Sequence, residues 1–383
     1  MPTRSGVVVA VCAAVLLVAG WLADYPELVL LGFAGLLALL AAAAWMLARP
    51  NLTAVREIRP QRVRLGEEAL GVLTVRNDSS RRSPPISAGE AFDGAAGRTI
   101  DIAVPSLAGH ESYETTYLLP TRHRGRFRVG PLTIGHSDPL RLMRIGRQFA
   151  DWSTLYVHPR VLAVEPVPTG QTRDMDGPTS SSSPRGGIAF HSLREYEPGD
   201  DWRLIHWKSS ARLDNLMVRH NVVPNEPRLM VVLDTSAAPY SDRSFEEAVS
   251  AAASLCVAAT SGGFPLELRT TSGLRTAADR GTSPERALDL LAEVTRSDTD
   301  AGLAALPDMT PADEGVSLGV VTGEADHSLL AVLPSVRTRF LMVSLVQFAD
   351  KFSGPPAILR GIVAVHVRDG DEFARAWNQL VRR

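Results

Sequence analysis

The chain has 383 residues, a formal net charge of −2 and a mean hydropathy of +0.02. This length exceeds what one ordinary hydrophobic core supports, so about two or three folded units are expected. The balanced charge excludes a strongly basic nucleic-acid-binding surface. The only two cysteines, Cys12 and Cys256, lie in apolar or alanine-rich stretches, which excludes a disulfide framework.

Two apolar segments within residues 1–50 predict an N-terminal transmembrane helical hairpin. They run over about residues 6–23 and 28–47, close to the roughly 20 residues that a helix needs to cross a bilayer. The short turn Asp24–Glu27 joins them. A cleaved signal peptide ending near Ala19–Ala23 is an alternative for the first segment, and two buried helices of a soluble protein are the other alternative.

The distribution of arginine predicts the orientation of this hairpin. Arg4 precedes the first segment, and the turn carries two acids and no base. The positive-inside rule then predicts a cell-membrane protein with two spans and both termini in the cytoplasm. Trp21, Tyr25 and Trp45 are expected near the membrane interfaces. The arginines that follow the second segment are Arg49, Arg56, Arg59, Arg62 and Arg64.

Residues 51–160 predict a β-sandwich-like region, because short strand patterns alternate with turn residues. Four alternating arginines in this region favour a solvated sheet face over an anion-binding patch: Arg122, Arg124, Arg126 and Arg128. The predicted strands of the region 51–160 cover residues 71–77, 98–104, 113–118, 127–129, 132–134 and 154–157.

Residues 161–190 are rich in Pro, Ser and Gly and predict a linker.

Residues 191–226 contain the most specific block of the sequence. Pro198 and Gly199 predict a turn, after which Asp200 or Asp201 is expected to cap a short helix. The density of Arg, Asp, Glu and Trp in this block is unusual for a linker.

This block resembles the signature of a bacterial domain-of-unknown-function family, number fifty-eight, with the pattern R-x-Y-x-P-G-D-x-x-R-x-I-x-W-x-x-S-A-R. The resemblance implies a C-terminal domain like that of von Willebrand factor type A. It also implies a MoxR-type AAA+ ATPase and a transglutaminase-like membrane protein as partners. The matching residues, with His206 as a further candidate interaction residue, are Arg194, Tyr196, Pro198, Gly199, Asp200, Arg203, Ile205, Trp207, Ser210, Ala211 and Arg212.

Catalysis by this block is the weaker hypothesis. His206 could serve as a general base for Ser209 or Ser210, with Asp200 or Asp201 as the third group. However, His206 and Ser210 are only four residues apart, and no glycine-flanked nucleophile elbow surrounds either serine. A structural or docking role is therefore favoured, and the chain is predicted not to be an enzyme.

Residues 227–383 predict an α/β domain, because apolar strand patterns alternate with helical ones. The family resemblance implies that a metal-binding D-x-S-x-S motif would follow the first strand. Here Asp234 and Ser236 match that motif, but Ala238 has no ligand oxygen, and Glu324 and Asp326 are uncertain further candidates. The sequence therefore predicts no cofactor, with a weakly held Mg²⁺ ion as the alternative.

Taken together, these patterns predict a multidomain protein that is anchored to the lipid bilayer and serves as a protein-interaction scaffold. A membrane-tethered hydrolase using His206 and a nearby serine is one alternative. A metal-dependent adhesion-type binding protein is the other.

Overall fold

The structure is a computed structural model that describes residues 3–47, 51–93, 98–169, 189–197, 202, 205–213, 215–222, 227–309, 315–352, 354 and 359–382. The contacts divide the chain into two compact units. The first comprises Met1–Arg160 with Leu291–Glu293, and the second comprises Val161–Leu290 with Val294–Arg383.

The first unit begins with two antiparallel helices, α1 (Arg4–Ala23) and α2 (Pro26–Leu47). Both are long and apolar enough to cross a bilayer, which confirms the predicted pair of apolar helices. Ala13 and Gly20 of α1 are buried against Gly35 and Val29 of α2, and small residues at such positions let two helices approach closely. Most of the remaining apolar side chains of both helices are exposed, so the outer surface of the hairpin is hydrophobic.

The strands of the first unit form two sheets. One sheet has the order β1-β3-β6, and the other has the order β2-β9-β7-β4-β5 with β8 also paired to β7. Strand β1 alternates strictly between buried and exposed residues, as expected of a strand with one face on a core. The strands are β1 (Leu52–Arg59), β2 (Arg62–Arg64), β3 (Ala69–Asn77), β4 (Ile86–Phe92), β5 (Arg98–Val104), β6 (Ser112–Leu119), β7 (Gly125–Ser137), β8 (Arg144–Ala150) and β9 (Ser153–His158).

The two sheets share a hydrophobic core, as the predicted sandwich-like region requires. Leu73 and Val75 of β3 cluster with Ile86 of β4 and with Leu132 and Ile134 of β7. The predicted strand at 98–104 coincides with β5. The strands predicted at 127–129 and 132–134 are one continuous strand, β7.

An ion pair is buried inside this unit. Arg56 Nε of β1 lies 2.9 Å from Glu90 Oε1 of β4, and both side chains are almost fully inaccessible. Arg56 Nη2 also donates to the carbonyl oxygens of Val129 and Asp151. Arg56 is therefore not a charge at the membrane face, contrary to its use in the predicted orientation. The described flanking arginines that remain are Arg4, Arg59, Arg62 and Arg64.

The arginines of β7 stack on aromatic rings. The guanidinium of Arg128 lies 4.5 Å from the ring centre of Trp152, and that of Arg126 lies 5.9 Å from the ring centre of Tyr156. Both arginines are exposed. Each guanidinium lies near an aromatic ring while it stays accessible to solvent, and the choice between a solvated face and an anion-binding patch stays a prediction.

The second unit contains a six-stranded sheet in the order β14-β13-β12-β15-β16-β17. Strands β12, β13, β15, β16 and β17 run parallel, and β14 is antiparallel at the edge. Every residue of β15 and β16 is buried, as expected when helices cover both faces. The strands are β12 (Arg228–Leu233), β13 (Leu266–Thr270), β14 (Arg275–Ala278), β15 (Val316–Thr322), β16 (Val343–Phe348) and β17 (Ile362–Val367).

Helices alternate with these strands, in agreement with the predicted α/β pattern. Helix α4 begins with a capping box in which Ser241 and Ser244 satisfy each other's backbone N–H groups. The helices are α4 (Asp242–Ser261), α5 (Glu285–Glu293), α6 (His327–Leu330), α7 (Val332–Val336) and α8 (Gly370–Val381), with 3-10 turns at Gly302–Asp308 and Arg337–Arg339.

The first part of the predicted linker is packed against this unit. Val167 is buried, the Leu162 N–H donates to Ser254 Oγ, and Trp377 Nε1 donates to the Glu165 carbonyl. Residues 161–169 therefore belong to the α/β unit and do not act as a linker. The rest of that prediction, residues 170–188, lies outside the described residues.

Candidate functional site

Polar side chains meet at the carboxyl end of the parallel sheet. Asp234 follows β12, Thr271 follows β13, and Thr322 is the last residue of β15. Strand β12 pairs with both β13 and β15, so the three side chains come to the same edge. Ligands of open α/β sheets bind at this edge, at the point where the strand order reverses. We use the name edge cluster for Asp234, Thr271 and Thr322 together with Thr235, Ser236 and Asp300.

Asp234 is the centre of the edge cluster and is only 1% exposed. Its Oδ1 accepts hydrogen bonds from the Ser236 N–H (2.9 Å) and Ser236 Oγ (2.7 Å), and its Oδ2 accepts one from Thr322 Oγ1 (2.7 Å). Burial raises the pKa of the Asp234 carboxyl, and the nearby Asp300 charge raises it further, against the opposing effect of these hydrogen bonds.

Asp300 is the second carboxylate of the cluster. Its Oδ2 accepts from Thr235 Oγ1 at 2.5 Å and from Thr271 Oγ1 at 2.6 Å, and its Oδ1 accepts from the Gly302 N–H at 3.0 Å. Thr271 Oγ1 also lies 3.4 Å from Asp234 Oδ1. Among the residues that the structure describes, neither carboxylate has an ion-pair partner. The edge thus concentrates carboxylate groups that accept hydrogen bonds from hydroxyl groups and from the backbone N–H groups of Ser236 and Gly302.

Gly302 allows the loop of Asp300 to approach Asp234. Its φ is +60°, a conformation that costs non-glycine residues energy. A Cβ at this position would lie 2.7 Å from Ser236 Oγ and 3.2 Å from Asp234 Oδ1. A side chain here would therefore push the loop away from the cluster.

The structure brings together only part of the predicted metal-binding set. Asp234 and Ser236 are in contact as expected, but Ala238 is exposed. The second acid is Asp300 and not Glu324 or Asp326. The backbone oxygen of Asp326 instead accepts from two residues of α6.

Sequence reasoning did not identify Thr271, Asp300 and Thr322 as members of the site. Each stands at or just beyond the end of a strand or in a connecting loop. The available signal was positional, since residues that follow parallel strands meet at one edge. Asp300 had no such signal, because its loop follows α5 and not a strand.

A pocket of about 370 Å³ opens beside the edge cluster. The two are connected, because the Tyr240 hydroxyl donates to the Asp234 carbonyl and the Glu324 N–H donates to the Pro239 carbonyl. The pocket is lined by Pro239, Ser241, Ser244, Glu324, Ala349, Asp350 and Lys351.

The described part of the signature block forms a β-hairpin with an inserted helix. Strands β10 (Ala189–Glu195) and β11 (Met217–Val222) pair in an antiparallel manner, and α3 (Trp207–Leu213) lies between them in sequence. The His206 N–H donates to the Met217 carbonyl, and Ile205 forms a bridge to Val218. Helix α3 begins at Trp207, directly after these contacts of Ile205 and His206. The predicted cap at Asp200 or Asp201 lies outside the described residues.

Two polar members of the block hold the hairpin together. Ser210 Oγ accepts from the Met217 N–H at 2.8 Å and donates to the His206 carbonyl at 3.2 Å. Ser209 Oγ lies 2.7 Å from His206 Nδ1. In the described part of the chain no carboxylate contacts the imidazole of His206.

The remaining described members of the signature block differ in their exposure to solvent. Trp207 is 65% exposed, and Ala211 and Arg212 are exposed on the same helix, while Tyr196 is half-buried. The backbone of Arg194 lies in β10, where Arg194 pairs with Val218. The predictions made for Pro198, Gly199, Asp200 and Arg203 fall outside the described residues.

The fold and the site define a chain with two apolar N-terminal helices followed by β-rich and α/β regions. Residues 192–321 match the family described as "Protein of unknown function DUF58". This match confirms, over that segment, the resemblance drawn from the signature block. The segment includes Asp234, Thr271 and Asp300 of the edge cluster.

Comparisons with other proteins add little to this assignment. The chain is 29% identical over 148 residues to "Uncharacterized protein YeaD" of Bacillus subtilis (strain 168). That match covers 38% of this chain and 35% of the relative, so the chain spans about a third of the relative's length.

Parts of the chain are weakly similar to two solved structures. The CARDB domain of the Pyrococcus furiosus protein PF1109 matches with a TM-score of 0.22 and 18% identity, over 29% of this chain and 88% of that one. A β-glucosidase from Listeria innocua bound to isofagomine matches with a TM-score of 0.20 and 17% identity, over 28% and 16%. At these TM-scores the similarities support no inference about fold or function.

Proposed function

We propose that this protein is a membrane-anchored interaction scaffold, in which the hairpin α1–α2 holds the chain in the lipid bilayer and the α/β unit docks a partner. The observation that carries the proposal is the edge cluster with its adjoining pocket. The cluster is a largely buried set of polar side chains at the carboxyl edge of the sheet, and its carboxylates accept hydrogen bonds from hydroxyl and backbone groups instead of activating a nucleophile.

The exposed apolar surface of the hairpin supports the anchor. Valine, leucine and aromatic side chains lie outside on both helices, and an exposed apolar surface of this extent is rare on soluble monomers. Trp21, Tyr25 and Trp45 are exposed near helix ends, as expected of residues at membrane interfaces. The cytoplasmic position of both termini remains part of the proposal.

The strand order supports a type A-like α/β unit. In order of appearance the strands are arranged 3-2-1-4-5-6, and the site lies where this order reverses. The resemblance then suggests a MoxR-type AAA+ ATPase as the partner, with a transglutaminase-like membrane protein in the same assembly. Trp207 is the best-placed contact residue, because exposed tryptophans are frequent energetic centres of interfaces.

A pull-down from detergent-solubilised membranes, read by mass spectrometry, tests this proposal. The unaltered protein should retain an AAA+ ATPase, and Trp207→Ala should weaken retention by roughly 30-fold, the equivalent of a 2 kcal/mol hot spot. The matched control is Trp152→Ala, which removes an exposed tryptophan of the other unit and should leave retention unchanged. Absence of any AAA+ ATPase with the unaltered protein would contradict the proposed partner.

A metal-dependent binding protein is the second candidate, and the pairing of Asp234 with Asp300 favours it. Two carboxylates with hydroxyl oxygens from serine and threonine form a hard oxygen donor set, which fits Mg²⁺. Asp234, Asp300, Ser236 and Thr271 would hold the ion, which would supply an open coordination position for an acidic group of the partner. Its charge would also oppose burial and the smaller repulsion from Asp300, both of which raise the pKa of Asp234.

Thermal unfolding with and without millimolar Mg²⁺ or Mn²⁺ separates the two candidates. Under the metal-dependent hypothesis the ion raises the melting temperature, and Asp300→Asn abolishes the increase. Asp326→Asn is the matched control, because the backbone and not the side chain of Asp326 is used in the described contacts. No ion-dependent shift in the unaltered protein would leave the metal-free scaffold as the function.

The geometry gives a hydrolase less support. The contact between His206 and Ser209 joins two side chains three positions apart at the start of α3, and among the described residues no carboxylate orients the imidazole. We infer that this contact orders the first turn of α3, and that the chain acts by binding and not by catalysis.

A further inference from the structure

The loop between β7 and β8, residues 138–143, is joined to the first turn of α1. The Thr3 N–H donates to the Leu142 carbonyl at 2.9 Å, and Thr3 Oγ1 donates to the Arg141 carbonyl at 2.7 Å. These bonds lie within the first unit. They fix the loop to the end of the helix that enters the apolar segment.

The contact continues one turn further into α1. Gly6 is buried, and a Cβ at this position would lie 2.1 Å from the Leu142 carbonyl oxygen. Loop backbone and helix backbone therefore touch directly, which only a glycine permits. Gly6 is three residues beyond Thr3, or about 4.5 Å along the helix axis.

The loop is held in shape by a buried acid. Asp138 is 2% exposed, its Oδ2 accepts from the Leu140 N–H, and its Oδ1 accepts from the Met143 N–H. The Arg141 N–H donates to the Asp138 carbonyl. The turn leaves the Leu140 side chain 61% exposed, and Arg141 beside it is exposed as well.

We propose that this loop is a second membrane contact, in which Leu140 lies at the boundary of head groups and acyl chains and Arg141 faces lipid phosphates. The inference rests on the proposed anchoring by α1 and α2. The head-group layer on each side of a bilayer is roughly 5–8 Å thick, which matches the depth between Thr3 and Gly6. An exposed leucine beside an arginine suits this layer, because the apolar side chain enters it while the cation remains at its surface.

Spin labelling of the full chain in nanodiscs of phosphatidylcholine and phosphatidylglycerol tests the proposal. The label is placed at Leu140→Cys in a Cys12→Ala background, since Cys256 is fully buried. Accessibility to oxygen relative to a water-soluble nickel chelate reports depth. Two reference labels are Leu118→Cys on β6, at an exposed position of the β-rich unit, and Val15→Cys on the outer face of α1.

The expected ratio at position 140 is severalfold higher than at position 118 and lower than at position 15. A ratio equal to that at 118, with position 15 in lipid, would overturn the inference and leave the anchor intact. Water accessibility at position 15 would overturn the anchor itself, so the two failures are distinguishable.

A second variant tests the link through α1. Gly6→Leu introduces a side chain against the Leu142 carbonyl, and we expect it to make a label at 140 water-accessible while position 15 stays in lipid. An unchanged signal at 140 would show that the contact with Gly6 does not hold the loop at the membrane, which contradicts the proposed geometry.

Discussion

Replacing Glu90 by leucine, or Arg56 by methionine, should each destabilise the β-rich unit by about 3–5 kcal/mol, because the partner would remain buried as an uncompensated charge. The double variant Arg56→Met with Glu90→Leu should be close to neutral, since apolar residues of similar volume often replace a buried ion pair without loss. Hydrogen exchange of β1 and β4 in the full-length protein measures both. Additive losses in the double variant would contradict the expected coupling.

The same pair predicts a pH dependence. Burial raises the pKa of Glu90 to about 7, and the attraction of Arg56 opposes this only partly. In the described part of the chain neither oxygen of Glu90 accepts a hydrogen bond, which explains why desolvation dominates.

Because the pKa of Glu90 is raised in the folded state, its contribution to stability is complete below about pH 4.5 and is lost as the pH rises through 7. The upper limit of the loss is about 3 kcal/mol, from a shift of roughly 2.5 pKa units. Glu90→Gln should remove this dependence from the exchange rates of β1 and β4. A dependence that persists in that variant would assign it to another group.

Replacing Trp377 by alanine should destabilise the α/β unit by about 3–5 kcal/mol, the usual cost of removing a large buried aromatic residue. Trp377 is fully buried, stacks near Phe373 and donates from Nε1 to the Glu165 carbonyl. The variant would therefore also remove one of the hydrogen bonds that join the segment at 161–167 to α8, while those of Asn378 to Ala163 and Glu165 remain. Chemical unfolding of the full-length protein measures the effect.

Trp207→Ala is the matched comparison for this prediction. Because Trp207 is 65% exposed, its replacement should change stability by no more than about 0.5 kcal/mol. A large loss of stability from Trp207→Ala would mean that the signature block is structural and not a docking surface. A small loss from Trp377→Ala would contradict the packing described for α8.

Elements that are buried on both faces were predictable from the sequence. The apolar run of β15 at Val316–Thr322 is buried at every position, and the pattern was visible in the sequence because a strand covered by helices needs apolar residues throughout. Helix α4 was equally clear, since its alanine-rich sequence continues for several turns.

Short edge strands and strands with buried charge were not predictable. Strand β2 has three residues, two of them exposed arginines, so it carries almost no apolar signal. Strand β4 contains Gly89 and Glu90, and the acid is compatible with a core only because Arg56 meets it from β1. Such long-range compensation leaves no trace in a local pattern.

The sequence predicted only the part of the edge cluster whose contacts are local in the chain. Asp234 and Ser236 are two residues apart, so their contact is local and visible in the sequence. Asp300 reaches them through a loop that depends on the positive φ of Gly302, and no periodicity marks such a loop.

The hydroxyl of Thr271 links two acids and has a single hydrogen to give. Thr271 Oγ1 lies 2.6 Å from Asp300 Oδ2, to which it donates, and 3.4 Å from Asp234 Oδ1. Because this hydrogen can be donated to only one carboxylate at a time, Thr271 couples the hydrogen bonding of Asp234, at the end of β12, to that of Asp300, in the loop that follows α5.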